Sequence, residues 1–574
     1  MAVLLASHLR WDLKEPRGLN NDRILFSKGH AAPLLYSMLK AAGAISDAEL
    51  LTLRKHGSPI EGHPAPTLPF VEVATGSLGQ GLAMAVGMAL AAKRLDHVEN
   101  RFWVLLGDSE MAEGSIYESF EAAAFYDLSN MVAILDMNRL GQRGPTMWVW
   151  DGDAYASRAE AFGWDTRVID GHDCAAINEA YGEAERATRP TLIVARTKKG
   201  AGVSFTEDRE GWHGKALTQE EAERAIAELG GSQGAASPVI ALAQPSPITA
   251  RPDAPAAPAE LPEYSPASAV STREAFGDAL AALGASNARI VVLDGEVSNS
   301  TYTDRFAKAH SDRFFEMYIA EQQMVSAALG MYALGWLPFA STFAAFFTRA
   351  FDQIRMAAIS RATLNLVGSH AGVSIGEDGP SQMGLEDLAL MRSVHDAVVL
   401  YPSCGNATVK LTAAMAGRRG INYLRTTREK TPVLYAADEA FPIGGSKVLR
   451  RSESDSIAII AAGITVHEAL KAHDRLKTAG VFTRVIDLYS VKPVDRETLR
   501  EAARVCTRGF VIVEDHHPEG GLADAVCEAF NGDVAPKMHR LAVRIMPGSA
   551  TSAEQLRAAR IDAEAIVRLI ESSP

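Results

Sequence analysis

The chain has 574 residues, of which 22% are charged and 47% hydrophobic, the balance of a folded globular protein and not of a disordered or fibrous one. Its 57 basic and 70 acidic residues leave a net charge of −13, which argues against a general nucleic-acid binder but allows a local basic pocket for anionic ligands. Four cysteines without a CxxC pair exclude a disulfide framework and point to a reducing, cytoplasmic setting, and no apolar run is long enough to predict a membrane span.

In chain order, the apolar runs at 101–108, 131–138 and 191–198 predict buried parallel strands, with a helix over 115–128 between the first two. From 230 to 267 the composition turns to Ala, Pro and Ser, with eight of the 26 prolines (Pro238, Pro245, Pro247, Pro252, Pro255, Pro258, Pro262 and Pro266). An extended linker over 231–267 is expected there. Strands at 289–296, 314–321, 363–370 and 397–403 follow, and then those at 456–463, 482–489 and 509–516. This predicts an α/β protein of three domains, over 1–230, 268–435 and 436–574, the first two doubly wound.

Ligands of such sheets collect beyond the carboxyl ends of the strands. There the first strand runs into Gly107-Asp108-Ser109-Glu110, and the second into Met137-Asn138-Arg139-Leu140. A carboxylate and an amide oxygen suit Mg²⁺ shared with a diphosphate, although spacing alone leaves open an aspartate cap and an asparagine turn. Gly76-Ser77-Leu78-Gly79 leads into an apolar helix whose start favours anions. His30, Lys199 and His213 are isolated candidate partners, each by itself more readily read as surface or core than as a ligand. Glu321 precedes a helix and is also readable as a helix-start acid. The pair His516-His517 lacks usable metal-ligand spacing and is expected to be structural.

The GDSE string with DMNRLGQ downstream resembles the thiamine diphosphate motif. Together with SKGHAAP (27–33), EGHPAP (61–66), ATGSLGQG (74–81) and WHGK (212–215) it resembles transketolase, nearly end to end, in its shorter animal-type branch. The resemblance implies a diphosphate (PP) domain, a pyrimidine (Pyr) domain and a C-terminal domain. It implies Mg²⁺, with Ca²⁺ or Mn²⁺ as substitutes, on Asp108, Asn138 and the carbonyl of Leu140. His30, Gly76, Ser77, Leu78, Ser109, Lys199 and His213 would line the cofactor. Ser109 replaces a usual glycine and keeps an N–H where the backbone suits a side chain. Glu321 would hydrogen-bond the aminopyrimidine, Phe346 would stack on it with Phe347 as a core neighbour, and Gln382 would stand on the cofactor side. Arg273, Ser300, His370 and Arg428 would take the sugar's terminal phosphate, and Asp378 a sugar hydroxyl. His63 and His213 would handle protons at the reacting oxygens.

The activity implied is transketolase: transfer of a two-carbon ketol unit from a ketose phosphate such as xylulose 5-phosphate to ribose 5-phosphate or erythrose 4-phosphate, through a carbanion carried by the cofactor. That places it in the pentose phosphate pathway, as a homodimer with active sites between subunits and sugar phosphates, not nucleic acid or membrane, as partners. Transketolases also carry a segment with an SGHP motif before the point where this sequence begins, and His8 offers no substitute. Either the start of this sequence is assigned too late or the segment is absent, and in the second case one wall of the active site is expected to be open. The alternatives are 1-deoxyxylulose-5-phosphate synthase, dihydroxyacetone synthase, or a catalytically impaired transketolase-like binding paralogue.

Overall fold

Apolar runs become central strands because both faces of a parallel sheet are covered. Residues 1–231, 239–248 and 258–572 are described by the structure, a computed structural model. They form two units, Met1–Pro252 with Ser326–Leu334, and Asp253–Val325 with Gly335–Pro574.

In the first unit, β1 (Arg23–Phe26), β2 (Phe102–Gly107), β3 (Met131–Met137), β4 (Asp165–Asp170) and β5 (Thr191–Arg196) form one parallel sheet in the order β1-β2-β3-β5-β4. The predicted runs are its three inner strands. The edge strand β4 is polar and largely exposed, which hid it from a search for apolar runs. Trp103, Leu105, Val132, Ile134 and Ile193 share a core with Leu4, Leu5 and Tyr181. The opposite face carries the helix Gly81–Leu90, buried at all ten positions. A helix apolar all round belongs in an interior. A Cβ on Gly87 would lie 2.1 Å from the Ala327 carbonyl oxygen, so only glycine permits that helix contact.

The second unit holds β6 (Ala269–Ser271), β7 (Ile290–Asp294), β8 (Phe314–Glu316), β9 (Leu337–Phe343), β10 (Leu364–Ser369), β11 (Val398–Leu400), β12 (Ile421–Arg425), β13 (Lys430–Pro432), β14 (Lys447–Arg450), β15 (Ile457–Ala461), β16 (Thr483–Asp487), β17 (Ser490–Lys492), β18 (Phe510–Val513) and β19 (Met538–Leu541). They make a seven-stranded sheet β17-β11-β12-β10-β9-β7-β8, a five-stranded sheet β14-β16-β15-β18-β19 and the pair β13-β6. The late strand β17 pairs antiparallel with β11 and so ties the third sequence segment into the second sheet.

Two expectations change. The strand expected over 314–321 stops at Glu316, because the Glu316 carboxylate accepts the N–H of Glu296 (2.8 Å) and of Tyr318 (3.3 Å), and Tyr318 turns the chain at φ +55°. The Pro-rich segment is anchored where it is described. Ile240 and Leu242 pack on the first core, and the Ala243 carbonyl accepts the Trp11 N–H at 2.9 Å. Leu261 packs on the core of the second unit. The rest of the expected linker, 232–238 and 249–257, lies outside the described residues.

Candidate cofactor and substrate site

In the first unit, three loops meet beyond the ends of β1, β2 and β3. Asp108, buried at the end of β2, accepts the N–H of Ser109 (2.9 Å) on Oδ1, and the N–H of Arg139 (2.7 Å) and the Thr146 hydroxyl (3.2 Å) on Oδ2. Burial still raises its pKa above the ordinary value. Ser109 is right-handed (φ −67°), so a side chain fits, and its N–H is turned onto Asp108. Arg139, at φ +61°, forms a two-pronged ion pair with Asp208 (2.8 and 2.7 Å), which holds the turn between Asn138 and Leu140.

Lys199 Nζ donates to the Leu140 carbonyl (3.2 Å) and lies 3.0 Å from His213 Nδ1. A lysine ammonium only donates, so Nδ1 accepts and the His213 proton sits on Nε2. His30 lies 4.5 Å from His213, ring centre to ring centre. Burial, then Lys28, lowers the His30 pKa to about 4; burial and Lys199 lower that of His213. Burial and Lys28 also lower the pKa of Lys199. His63 lies against Gly76, where an added Cβ would come within 2.9 Å of its ring. Gly29 and Gly76 touch backbone to backbone, with a Cβ on Gly29 only 2.7 Å from the Gly76 nitrogen. Ser77 and Leu78 follow in the same loop, half-buried.

Two residues not singled out from the sequence organise this cradle. Glu110 is 1% exposed and accepts from the Ser27 hydroxyl, the Gly79 N–H (2.7 Å) and the Gly107 N–H (3.0 Å), clamping the loops after β1 and β2 to the glycine-rich stretch that ends at Gly79. The Ser27 oxygen in turn accepts the Gly81 N–H (3.2 Å). At Gly79 and Gly81 the amides of the helix start thus serve the protein's own Glu110 and Ser27. Asp136 is the second. It accepts from Lys28, from Thr197 and from the Asn138 amide nitrogen (3.1 Å), which fixes Asn138 Oδ1 on the opposite side.

Among the described residues, no cluster of three or more His, Cys, Asp or Glu side chains could hold a metal. The candidate donors are instead one carboxylate, one amide oxygen and one carbonyl, which suits Mg²⁺ sharing its shell with phosphate oxygens. Thr75 adds a buried hydroxyl oxygen without a hydrogen-bond partner beside Gly76. Hard oxygens, a lysine and an unused hydroxyl fit a diphosphate with its cation.

In the second unit, Glu321 opens the helix Glu321–Ala333, is 3% exposed, and accepts from Arg349 at 3.3 Å. Arg349 also lies over the Phe346 ring (5.6 Å), and Phe346 stacks on Phe343 (5.5 Å, 10° between planes). Phe343 stacks in turn on His370 (3.9 Å, 17°), a continuity the sequence did not show. Phe347 is buried against Tyr423. Arg273 donates to the Ser300 carbonyl (2.9 Å), and its Nε has no hydrogen-bond partner. Arg428 donates to Ile375 O (3.3 Å) and Asp378 (3.1 Å). Burial, then Arg273 and Arg428, lower the His370 pKa to about 3. A neutral His370 can offer a phosphate an N–H but no positive charge. Asp378 is engaged by Arg428, and Gln382 sits half-buried on the same loop in the short helix Pro380–Gln382. His516 and His517 bond backbone carbonyls, at His517 (2.6 Å) and Val543 (2.9 Å), as structural histidines.

Family models match along the chain: "Transketolase, thiamine diphosphate binding domain" over 1–239, "Transketolase, pyrimidine binding domain" over 268–433 and "Transketolase, C-terminal domain" over 446–566. The chain belongs to the transketolase family. It is 46% identical to the transketolase of Homo sapiens over 571 residues, covering 99% of this chain and 91% of that one. It is 44% identical to the transketolase-like protein 2 of Mus musculus, covering 100% and 92%. Among solved structures, the transketolase of Campylobacter jejuni superposes with a TM-score of 0.88 at 23% identity, over 99% of this chain and 94% of that one. That of Leishmania mexicana gives 0.85 at 23%, over 100% and 92%. The architecture is thus mixed α/β, with parallel sheets and three transketolase domains. No helix among the described residues is long and apolar enough to cross a membrane.

Proposed function

We propose that this family member is a working ketol transferase. It moves a two-carbon unit from a ketose phosphate of the xylulose 5-phosphate type to an aldose phosphate such as ribose 5-phosphate or erythrose 4-phosphate, the transketolase step of the pentose phosphate pathway. The observation that carries this is the grouping of Arg273 and Arg428 near buried His370, on the unit that also bears Glu321 and Phe346, with both arginines lowering the His370 pKa. Two arginines and a neutral N–H donor suit a terminal phosphate.

Thiamine diphosphate, when bound, supplies the carbon nucleophile and the electron sink. Asp108, Asn138 and Leu140 would hold Mg²⁺, with Lys199 leaving the Leu140 carbonyl for the diphosphate. Glu321 would hydrogen-bond the aminopyrimidine, and Phe346 would orient it. Neutral His30 and His213, with His63 beside Gly76, hold N–H donors where oxygens of the substrate gain and lose protons. Asp378 exchanges Arg428 for a sugar hydroxyl once a phosphate takes the arginine. The residues of the diphosphate and pyrimidine halves lie on different units, which a cytoplasmic homodimer would complete between subunits.

The test is turnover of xylulose 5-phosphate with ribose 5-phosphate, followed by glyceraldehyde 3-phosphate release. Release that requires both sugars, thiamine diphosphate and Mg²⁺ supports the proposal. No release by protein that binds the cofactor would favour a non-catalytic paralogue.

A further inference from the structure

The loop that carries Asp378 and Gln382 belongs by sequence to the pyrimidine domain, but its apolar side is built into another core. Val373, Ile375, Met383 and Leu385, each at most 3% exposed, cluster with Ile459 and Val511 of the C-terminal sheet. The neck of the loop is closed by Gly372 N–H on Gly384 O (2.8 Å) and Gly384 N–H on His370 O (3.3 Å). Asp515, at the end of β18 and 1% exposed, reaches that neck. Its Oδ1 accepts the Val373 N–H at 2.8 Å, and a Cβ on Gly372 would lie 1.8 Å from its Oδ2. Arg425, wholly buried, donates to Gly384 O (2.7 Å) and Asp515 O (2.9 Å), joining the neck to β18. Farther along, Gly376 lies against Ala550 and Ser552, and Gly379 against Ser549. Arg428 grips the same stretch through Ile375 O and Asp378.

We infer that the C-terminal domain is the template of the substrate loop, and that Asp515 is the residue that positions it. A loop of this length with four buried apolar side chains cannot hold its shape alone; its register comes from the C-terminal sheet, through Asp515, 142 residues beyond Val373. Asp515, 1% exposed, is thus a positioning residue. It acts through Val373 and Gly372 on Asp378, and so on Arg428. The inference rests on the ketol-transfer proposal for the loop's role, not for its geometry.

The test compares Asp515→Ala, Asp515→Asn and wild type, as full-length protein loaded with thiamine diphosphate and Mg²⁺. Two quantities are read: amide hydrogen exchange over 371–384, and KM for ribose 5-phosphate against glycolaldehyde, an acceptor without a phosphate. Asp515→Ala is expected to speed exchange at the neck and to raise KM for ribose 5-phosphate about ten-fold, the scale of one lost charge-assisted hydrogen bond, with KM for glycolaldehyde within about two-fold. Asp515→Asn keeps an oxygen for the Val373 N–H and should restore both readouts. Unchanged exchange, or equal effects on the two acceptors, overturns the inference. If Asp515→Ala does not fold, Leu556→Ala, on the helix Ser552–Ala558 that packs on Val373–Ile375, should show the same split. If wild type turns over neither acceptor, the ketol-transfer proposal falls, and hydrogen exchange alone decides the positioning role.

Discussion

Replacing Glu110 by alanine tests whether one buried carboxylate holds the cofactor cradle together. Removing it leaves the N–H groups of Gly79 and Gly107 without an acceptor, while the Ser27 hydroxyl can rotate. An orphaned buried amide costs about 1–3 kcal/mol. Against this stands relief of a buried charge, since burial raises the Glu110 pKa above its ordinary value. The net loss expected for Glu110→Ala is about 2–4 kcal/mol. Glutamine keeps an oxygen for Gly79 and Ser27 but sets its NH₂ against the Gly107 N–H, so about half the loss should remain. Each ~1.4 kcal/mol of lost organisation weakens binding ten-fold. Calorimetric titration of thiamine diphosphate in Mg²⁺ should therefore show Kd rising at least about ten-fold for alanine and less for glutamine, with Tm following the same order. A Kd and Tm both unchanged in Glu110→Ala would refute the clamp.

Three further outcomes follow. Asp294 accepts from Val297 N–H (2.7 Å), Thr301 (2.8 Å) and Thr303 (2.7 Å), and burial lifts its pKa from 3.8 to about 7. A carboxyl with a raised folded pKa favours the protonated native state, so its contribution is fully present below pH ~4 and lost as pH rises to ~7, about 4 kcal/mol in all. Asp294→Asn should gain that much on wild type across this window in urea unfolding; parallel pH curves would contradict the assignment. Arg428→Ala should raise KM for ribose 5-phosphate about 10- to 100-fold with little effect on glycolaldehyde; equal effects would remove Arg428 from phosphate recognition. Glu321→Ala should slow H/D exchange at C2 of bound thiamine diphosphate by orders of magnitude, and unchanged exchange would deny Glu321 its role.

The inner strands were legible because burial on both faces writes itself as an apolar run, and β4 was not, because an exposed polar edge has no such signature. The motif strings hold Asp108, Asn138, His30 and His213, Lys199 was legible only as an isolated lysine, and Lys199 joins His213 to the Leu140 carbonyl. Glu110 stood inside one of those strings, but two of its three partners lie 31 and 83 residues away, so its clamping role emerges with the fold. A carboxylate two residues past Asp108 at a glycine-rich crossing was the one available signal. The neutrality of His370 depends on burial and two arginines from distant segments, which no local pattern encodes. The embedding of Val373 and Ile375 in the C-terminal core was equally invisible, since an apolar residue does not announce which sheet will cover it.

The most direct test of ketol transfer uses xylulose 5-phosphate labelled with ¹³C at C1 and C2, together with unlabelled ribose 5-phosphate, thiamine diphosphate and Mg²⁺. The account predicts a seven-carbon ketose phosphate carrying both labels at C1 and C2, with unlabelled glyceraldehyde 3-phosphate released in equal amount. Absence of that product from cofactor-loaded protein, or label divided between the two products, would contradict it.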